Sequence, residues 1–168
     1  MREATLCYPV DGDRVLLIEK KRGVGDGLVN GPGGKLEPGE TPRECVVREV
    51  REEVGVAVAP EKVGELSFTF GDDPFMFVHV YRADDPTGDP VETEEARPMW
   101  VPLDEIPYNR MWADDRYWVP HLLDRTTFRG HAYFDADGEE LLDWELRTDV
   151  ALDESRRYAP SQESSRIS

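Results

Sequence analysis

Residues 34–56 read GKLEPGETPRECVVREVREEVGV, and the spacing within them decides the local fold and the chemistry. Gly34 is followed after five residues by Glu40, and after seven more by Arg48 and Glu49, with Glu52, Glu53, Gly55 and Val56 closing the series. The pattern from Pro42 to Val54 predicts a helix. Thr41 stands at its N-cap, Pro42 at the first helical position, and Glu44 completes a capping box; Gly55 ends it. At about 100° per residue, Glu53 lies about 40° to one side of Glu49 and Glu52 about 60° to the other. Three carboxylates therefore share one face, while Val47, Val50 and Val54 form a separate apolar stripe that packs on a sheet. Such like charges destabilise an isolated helix by a few tenths of a kcal/mol (roughly) per pair. A divalent cation that takes carboxylate oxygens and substrate phosphates neutralises them, and Mg2+ is the first candidate. The preceding Gly31-Pro32-Gly33-Gly34 lets backbone approach a ligand closely and offers carbonyl oxygens to the metal. Arg48 pairs with Glu52 at i,i+4 or reaches back to Glu44, orienting carboxylates. The alternative is a solvated acidic helix face, which the added glycine, arginine and aliphatic positions disfavour.

Composition narrows the rest. With 168 residues and 39% hydrophobic content, the chain is long enough for one domain with its own core. It holds no apolar run of about 18 residues, and MREATLCYPV has no signal-peptide core, so a cytoplasmic protein is expected. Cys7 and Cys45 make no metal-ligand spacing and are expected as unpaired, buried thiols. The net charge of −16 repels nucleic acid polymers and anionic membranes. Of the 20 basic residues only Lys20, Lys21, Lys35 and Lys62 are lysines, a balance suited to a salt-rich, halophilic cytoplasm.

Along the chain, residues 3–10 and 14–19 are predicted to form a hairpin around Asp11-Gly12-Asp13, with Pro9 at an edge or near the strand's end. Residues 22–39 hold seven glycines and read as a long functional loop. Strands are expected over 62–70, 75–82 and 99–101, a polar loop over 83–96, and a helix capped by Asp114 or Asp115 and running to about Leu123. A last hairpin spans 127–134 and 140–147. The reading is an α/β domain over residues 1–150, followed by a flexible tail over 151–168.

The box Gly34-x5-Glu40-x7-Arg48-Glu49-Val50-x-Glu52-Glu53-x-Gly55-Val56 resembles the Nudix signature at every defined position. That resemblance implies a mixed β-sheet sandwiched between α-helices, and hydrolysis of a nucleoside diphosphate linked to another group with Mg2+ or Mn2+. Further segments, among them Lys20-Lys21-Arg22-Gly23, Asn30-Gly31, Val78-His79-Val80, Arg97-Pro98, Met111-Trp112 and Tyr117-Trp118, are similar to the oxidised purine nucleoside triphosphatases, from about residue 4 to 148. The likeness implies a nucleotide pocket lined by Thr5, Lys20, Asn30, Trp112, Asp114 and Asp115. Trp112 would stack on a purine, worth roughly 1–3 kcal/mol. One of Asp114 and Asp115 would stay protonated and donate while the other accepts. Gly33, Glu49, Glu52, Glu53 and Glu95 would hold the metal; Lys20 and Lys35, beside Gly34, would offset phosphate charge. Either Glu52 or Glu53 would accept the proton, with Glu52 preferred. Glu95 also reads as part of a solvated acidic loop, and His79 as a packed core histidine.

The expected partner is a small nucleoside triphosphate, hydrolysed by a monomer to nucleoside monophosphate and diphosphate. Another Nudix substrate (an unmodified dNTP, ADP-ribose, a dinucleotide) and a non-catalytic nucleotide-binding domain stay open as alternatives. Val24, Val29, Pro32 and Ala96 stand where mammalian members of the group carry bulkier side chains, which suggests a roomier pocket.

Overall fold

The computed structural model of the chain describes residues 2–22 and 26–153. Val24 and the tail from residue 154 onward lie outside the described residues. The elements are β1 (Arg2–Asp11), β2 (Arg14–Lys20), β3 (Val29–Asn30), α1 (Pro42–Val54), β4 (Glu61–Phe70), β5 (Asp73–Asp84), β6 (Ala96–Pro102), α2 (Asp115–Leu123), β7 (Phe128–Phe134) and β8 (Leu141–Thr148). They make a mixed sheet in the order β3-β2-β1-β5-β4-β7-β8, with β6 also on β2. The pairs β1·β5 and β4·β7 are parallel, the others antiparallel. One helix covers each face.

The hairpin between β1 and β2 pairs only at Val10↔Val15 and Asp11↔Arg14 before the two strands part. The glycine-rich segment takes up the vacated edge of β1. The Thr5 N–H donates to the Gly34 carbonyl and the Cys7 N–H to the Pro32 carbonyl, each at 2.8 Å. Alternation carries the same edge on to Pro9, which has no N–H to donate. That proline falls where the gap between β1 and β2 closes, so no ladder bond is lost.

Residues 22–39 are not one long loop. Val29–Asn30 pairs with Glu19 and Ile18, and Lys35 bridges to Ala4. Glycines obscured this pairing, because its order comes from β1 and β2 on either side. Likewise β6 runs for seven residues (Ala96–Pro102) rather than over 99–101, because pairing with β2 along Arg14–Lys20 overrides its two prolines.

Helix α1 begins and ends as its sequence dictates. Thr41 Oγ1 accepts from the Glu44 N–H, the Glu44 carboxylate accepts from the Thr41 N–H, and Gly55 closes the helix with φ 74°. Val46, Val50 and Val54 are fully buried against Cys7, Ile18 and Tyr81, with Val47 only partly covered, so the stripe is turned slightly from the one predicted. On the other face, Trp118, Val119 and Leu122 of α2 pack on Tyr8, Leu66, Val80 and Phe128. Cys7 and Cys45 are buried and unpaired. Among the described residues no helix is long and apolar enough to cross a membrane.

The α1 side of β4 and β5 also carries a buried ionic network. Lys62 Nζ donates to Glu65 Oε2 at 2.7 Å, to His79 Nδ1 at 2.9 Å and to the Asp153 carbonyl at 3.2 Å. An ammonium only donates, so His79 carries its proton on Nε2 and donates it to Glu3 Oε2, 2.6 Å away. Burial and the Lys62 charge push the His79 imidazolium down to about 4, so the ring is the neutral core histidine expected from the sequence. Burial opposes the charge of Glu65, but Lys62 and Arg129 outweigh it and hold that carboxyl below its usual range.

Candidate active site

Where β1 and β2 part, the sheet opens into a cavity of about 690 Å³ between the glycine segment, the β4–β5 hairpin and the start of α2. Strand alternation sends Leu66, Phe68, Phe70, Met76 and Val78 into it, while Glu65 and His79 point to the other face.

One end of the cavity is ionic. Lys20, Arg22, Lys35, Gly33, Gly34, Glu53 and Glu95 all line it. The Gly33 N–H donates to Glu53 Oε1 at 3.0 Å. Pro32 and Gly34 turn their carbonyls to β1, so Gly33, between them, presents its own carbonyl on the edge of its N–H, away from β1. The close approach explains the glycines. A Cβ on Gly33 would overlap the Thr5 carbonyl, and one on Gly34 would overlap the Glu49 carboxylate.

Burial is the largest influence on Glu53 and pushes its carboxyl up to about 7; the Gly33 N–H and Lys20 oppose this, while Glu49 and Glu95 add to it. Glu49 is raised for a similar reason, by burial and by Glu52 and Glu95 against the pull of Arg48. The carboxylates thus feel one another across the end of the cavity.

Arg48 organises this face from behind. Its Nε and Nη2 bind the two oxygens of Glu40 at 2.7 and 2.8 Å, and its Nη1 donates to Glu49 Oε1 at 2.8 Å and Glu52 Oε2 at 3.1 Å. The bidentate Arg48 pair holds the Glu40 carboxyl down at about 2. The predicted alternative partner, Glu44, is committed to the capping box. Glu49 and Glu52 rest on Arg48 and Glu53 on Gly33. With each carboxylate so satisfied, no three acidic, histidine or cysteine side chains among the described residues are grouped closely enough to hold a metal ion. The donor set itself, hard oxygens massed to the point of raising one another's proton affinity, is the kind that Mg2+ or Mn2+ takes.

The other end is aromatic. Phe70 and Phe75 stack with centroids 4.3 Å apart, and Trp112 stands 6.3 Å from Phe70 and 5.8 Å from Phe134. The Arg2 guanidinium lies 4.6 Å over Phe75. Asp115 lines this end. Asp114 lies fully buried behind it, its Oδ2 accepting from Trp118 Nε1 at 2.8 Å. Asp114 precedes α2 but makes no side-chain cap bond; its carboxylate is taken instead by the buried indole N–H of Trp118. Burial raises both carboxyls; Asp115 is raised further by the charge of Asp114 and the hydrogen bond between them. Two buried carboxyls so coupled hold on to a proton between them; the sequence left open which of the two carries it.

Of the residues singled out from sequence, Thr5, Lys20, Asn30, Gly33, Gly34, Lys35, Glu53, Glu95, Trp112 and Asp115 line one cavity. Arg48, Glu49, Glu52 and Asp114 do not line it. Sequence reading missed Arg2, Phe68, Phe70, Phe75 and Met76 as lining residues. For Phe68, Phe70 and Met76 the available signal was the even-numbered alternation of β4 and β5, which marks one shared face; Arg2 and Phe75 fall outside it. Val29, Pro32 and Ala96 are buried but do not line the cavity, so the small side chains there do not widen it directly.

The two glycines separate stability from chemistry. Gly33→Ala must push the segment off β1 and is expected to destabilise the fold, whereas the atoms nearest a Cβ on Gly34 all belong to the Glu49 side chain, which can move. Gly34→Ala is expected to keep the wild-type melting temperature and lose at least about tenfold in kcat, because Glu49 is displaced. Equal kcat in Gly34→Ala and wild type would contradict the assigned place of Glu49.

Residues 1–122 match the sequence profile of the NUDIX domain, so the chain belongs to the Nudix family, with its mixed sheet between helices. It is 46% identical over 145 residues to the oxidized purine nucleoside triphosphate hydrolase of Mus musculus, covering 85% of this chain and 92% of that one. It is 44% identical over 140 residues to the hydrolase of the same name from Danio rerio, covering 82% and 88%. Among solved structures, the mutator MutT protein from Bacillus halodurans superposes with a TM-score of 0.77 at 32% identity, covering 87% of this chain and 97% of that one.

Proposed function

We propose that this protein hydrolyses oxidised purine nucleoside triphosphates, of the 8-oxo-dGTP kind, to nucleoside monophosphate and diphosphate, removing damaged nucleotides from the pool. The observation that carries the reading is one cavity with a carboxylate and cationic end at Glu53, Gly33, Lys20 and Lys35 and an aromatic, carboxyl-bearing end at Trp112 and Asp115. The mouse and zebrafish relatives, both named oxidized purine nucleoside triphosphate hydrolase, support the substrate class.

In this reading Trp112 stacks on the purine, and the Asp115 carboxyl with the Asn30 amide reads its edge, where oxidation places a carbonyl beside an N–H. Lys20 and Lys35 balance phosphate charge. Glu49, Glu52 and Glu53 with the Gly33 carbonyl would hold Mg2+ or Mn2+ once Glu49 and Glu52 swing off Arg48, and Glu95 faces them from the loop before β6. Bound there, the cation would neutralise phosphate charge and make a coordinated water more acidic. Glu53 rather than Glu52 accepts the proton. Glu53 lines the cavity, whereas Glu52 is exposed and lies outside the lining. Arg48 positions carboxylates and takes no part in the chemistry. We further infer a monomer working in a salt-rich cytoplasm, in keeping with the net charge of −16 and four lysines.

A nucleotide panel with Mg2+, run at high and low salt with chromatographic product analysis, tests the reading. Preference for 8-oxo-dGTP or 2-hydroxy-dATP over dGTP, dATP and ADP-ribose is expected. Preference for an unmodified nucleotide or ADP-ribose would replace the substrate, and binding without product would overturn the enzyme.

A further inference from the structure

One side chain in the wall of the aromatic end stands there because of an irregularity in the sheet. Between β4 and β5 the register runs Phe68↔Met76 and then Thr69↔Pro74. One step on β4 thus matches two on β5, and Phe75 is the extra residue. Bulges of this kind bend a strand and re-aim a side chain, and they gather beside active sites. With unbroken alternation Phe75 would share the face of Phe77 and His79; instead it lines the cavity beside Met76.

Two contacts hold the re-aimed ring. It stacks on Phe70 with centroids 4.3 Å apart and planes at 7°. The Arg2 guanidinium lies over it, 4.6 Å from its centroid, where the ring's electron-rich face attracts a cation. Arg2 pairs with Met76 in the β1·β5 ladder, next to Phe75, and shares its face of β1 with Ala4 and Leu6, which also line the cavity. Among the described residues Arg2 has no carboxylate partner, so the ring is the contact that places its charge.

The series of contacts ends on Trp112. Phe70 lies 6.3 Å from Trp112 with planes at 31°, and Phe134 meets Phe70 and Trp112 edge-on, at 5.6 and 5.8 Å. Phe134 is fully buried and fixed by the core, whereas Phe70 and Phe75 are half-buried near the end of the β4–β5 hairpin. Of the two rings that bear on Trp112, Phe70 is therefore the one that needs a hold from outside the core.

We propose that Arg2 and Phe75 are positioning residues for base binding: the guanidinium pins the bulged ring onto Phe70, and Phe70 in turn holds Trp112 at the tilt from which it stacks on a purine. The proposal rests on reading the aromatic end of the cavity as a purine site. Both residues act through Trp112 rather than on the base.

Arg2→Met keeps the apolar stem and removes the charge; Arg2→Lys keeps a cation. With 8-oxo-dGTP, Arg2→Met is expected to raise KM about fivefold at unchanged kcat and melting temperature, the scale of one exposed cation–ring contact, and Arg2→Lys to recover most of that. Phe75→Leu is expected to raise KM as well, and adding Arg2→Met to Phe75→Leu to change nothing further. Inorganic triphosphate, which has no base, is expected to inhibit wild type and Arg2→Met equally. Fluorine-19 NMR of protein labelled with 5-fluorotryptophan, without metal or nucleotide, reads the ring itself. The Trp112 resonance, assigned with Trp112→Phe, is expected to shift in Arg2→Met and in Phe75→Leu, while those of Trp100 and Trp144 stay. An unchanged KM or Trp112 resonance in Arg2→Met, a further KM change on the Phe75→Leu background, or weaker inhibition of Arg2→Met by triphosphate would overturn the proposal. If the wild type turned over no oxidised purine nucleotide, the substrate reading would fail, and the Trp112 resonance would still decide whether Arg2 and Phe75 position that ring.

Discussion

Glu53→Gln is expected to lose at least about a hundredfold in turnover while the protein still folds. Gln keeps the shape and can still accept the Gly33 N–H, which donates to Oε1 of Glu53. It can neither take a proton nor give a cation a charged oxygen. The same substitution is expected to raise metal-free stability at alkaline pH. The sign follows from linkage: burial lifts the folded-state carboxyl to about 7, above its ordinary value, so the folded state binds more protons than the unfolded one through that window. Stability then falls as pH rises from about 4.5 to 7, and Gln removes that loss. Melting curves at pH 5 and pH 8 check this beside the kinetics. Wild-type turnover would remove Glu53 from the chemistry, and a lower melting temperature at pH 8 would contradict the burial argument.

Lys62→Met should give the largest loss of stability. Lys62 and Glu65 have almost no exposed surface, and the ammonium is shared among Glu65, His79 Nδ1 and the Asp153 carbonyl. Met fills similar volume but leaves the Glu65 charge to Arg129 alone and His79 Nδ1 without a donor. Breaking a buried ion pair by removing one partner costs about 3–5 kcal/mol. For a chain of this size that is a fall of roughly 10 °C in melting temperature. Below its unfolding range the variant is expected to keep wild-type kcat and KM, because the network lies on the sheet face opposite the cavity. A loss under about 1 kcal/mol, measured by denaturant titration, would show that the network contributes little.

The helix was legible because its signals are local. Thr41, Pro42, Glu44 and Gly55 fix its ends within one turn, and the observed bounds, Pro42–Val54, match. Strands were legible where alternation is clean, as in β4 and β7, and illegible where order is borrowed from neighbours, as in β3 and in Lys35. The site divides the same way. Residues in the Nudix box or in segments resembling the family were found in sequence, but which of the three glutamates reaches the cavity was not. Periodicity puts Glu49, Glu52 and Glu53 on one face; only the path of the glycine segment decides that Glu53 meets Gly33 while Arg48 takes the other two. The aromatic wall was missed for a plainer reason. Phe70 and Phe75 look like hairpin core until the parting of β1 and β2 opens a cavity beneath them.

Where a divalent cation sits when nucleotide is bound decides the role of the three glutamates. Anomalous diffraction from crystals of the Glu53→Gln variant would not serve, since a ligand is gone; the wild type grown with Mn2+ and a non-hydrolysable nucleoside triphosphate is the direct test. A manganese peak is expected among the carboxylates of Glu49, Glu52 and Glu53, with the Gly33 carbonyl and the phosphates completing its shell at about 2.0–2.3 Å. Manganese held elsewhere, with those three carboxylates still on Arg48 and Gly33 beside a bound nucleotide, would contradict it.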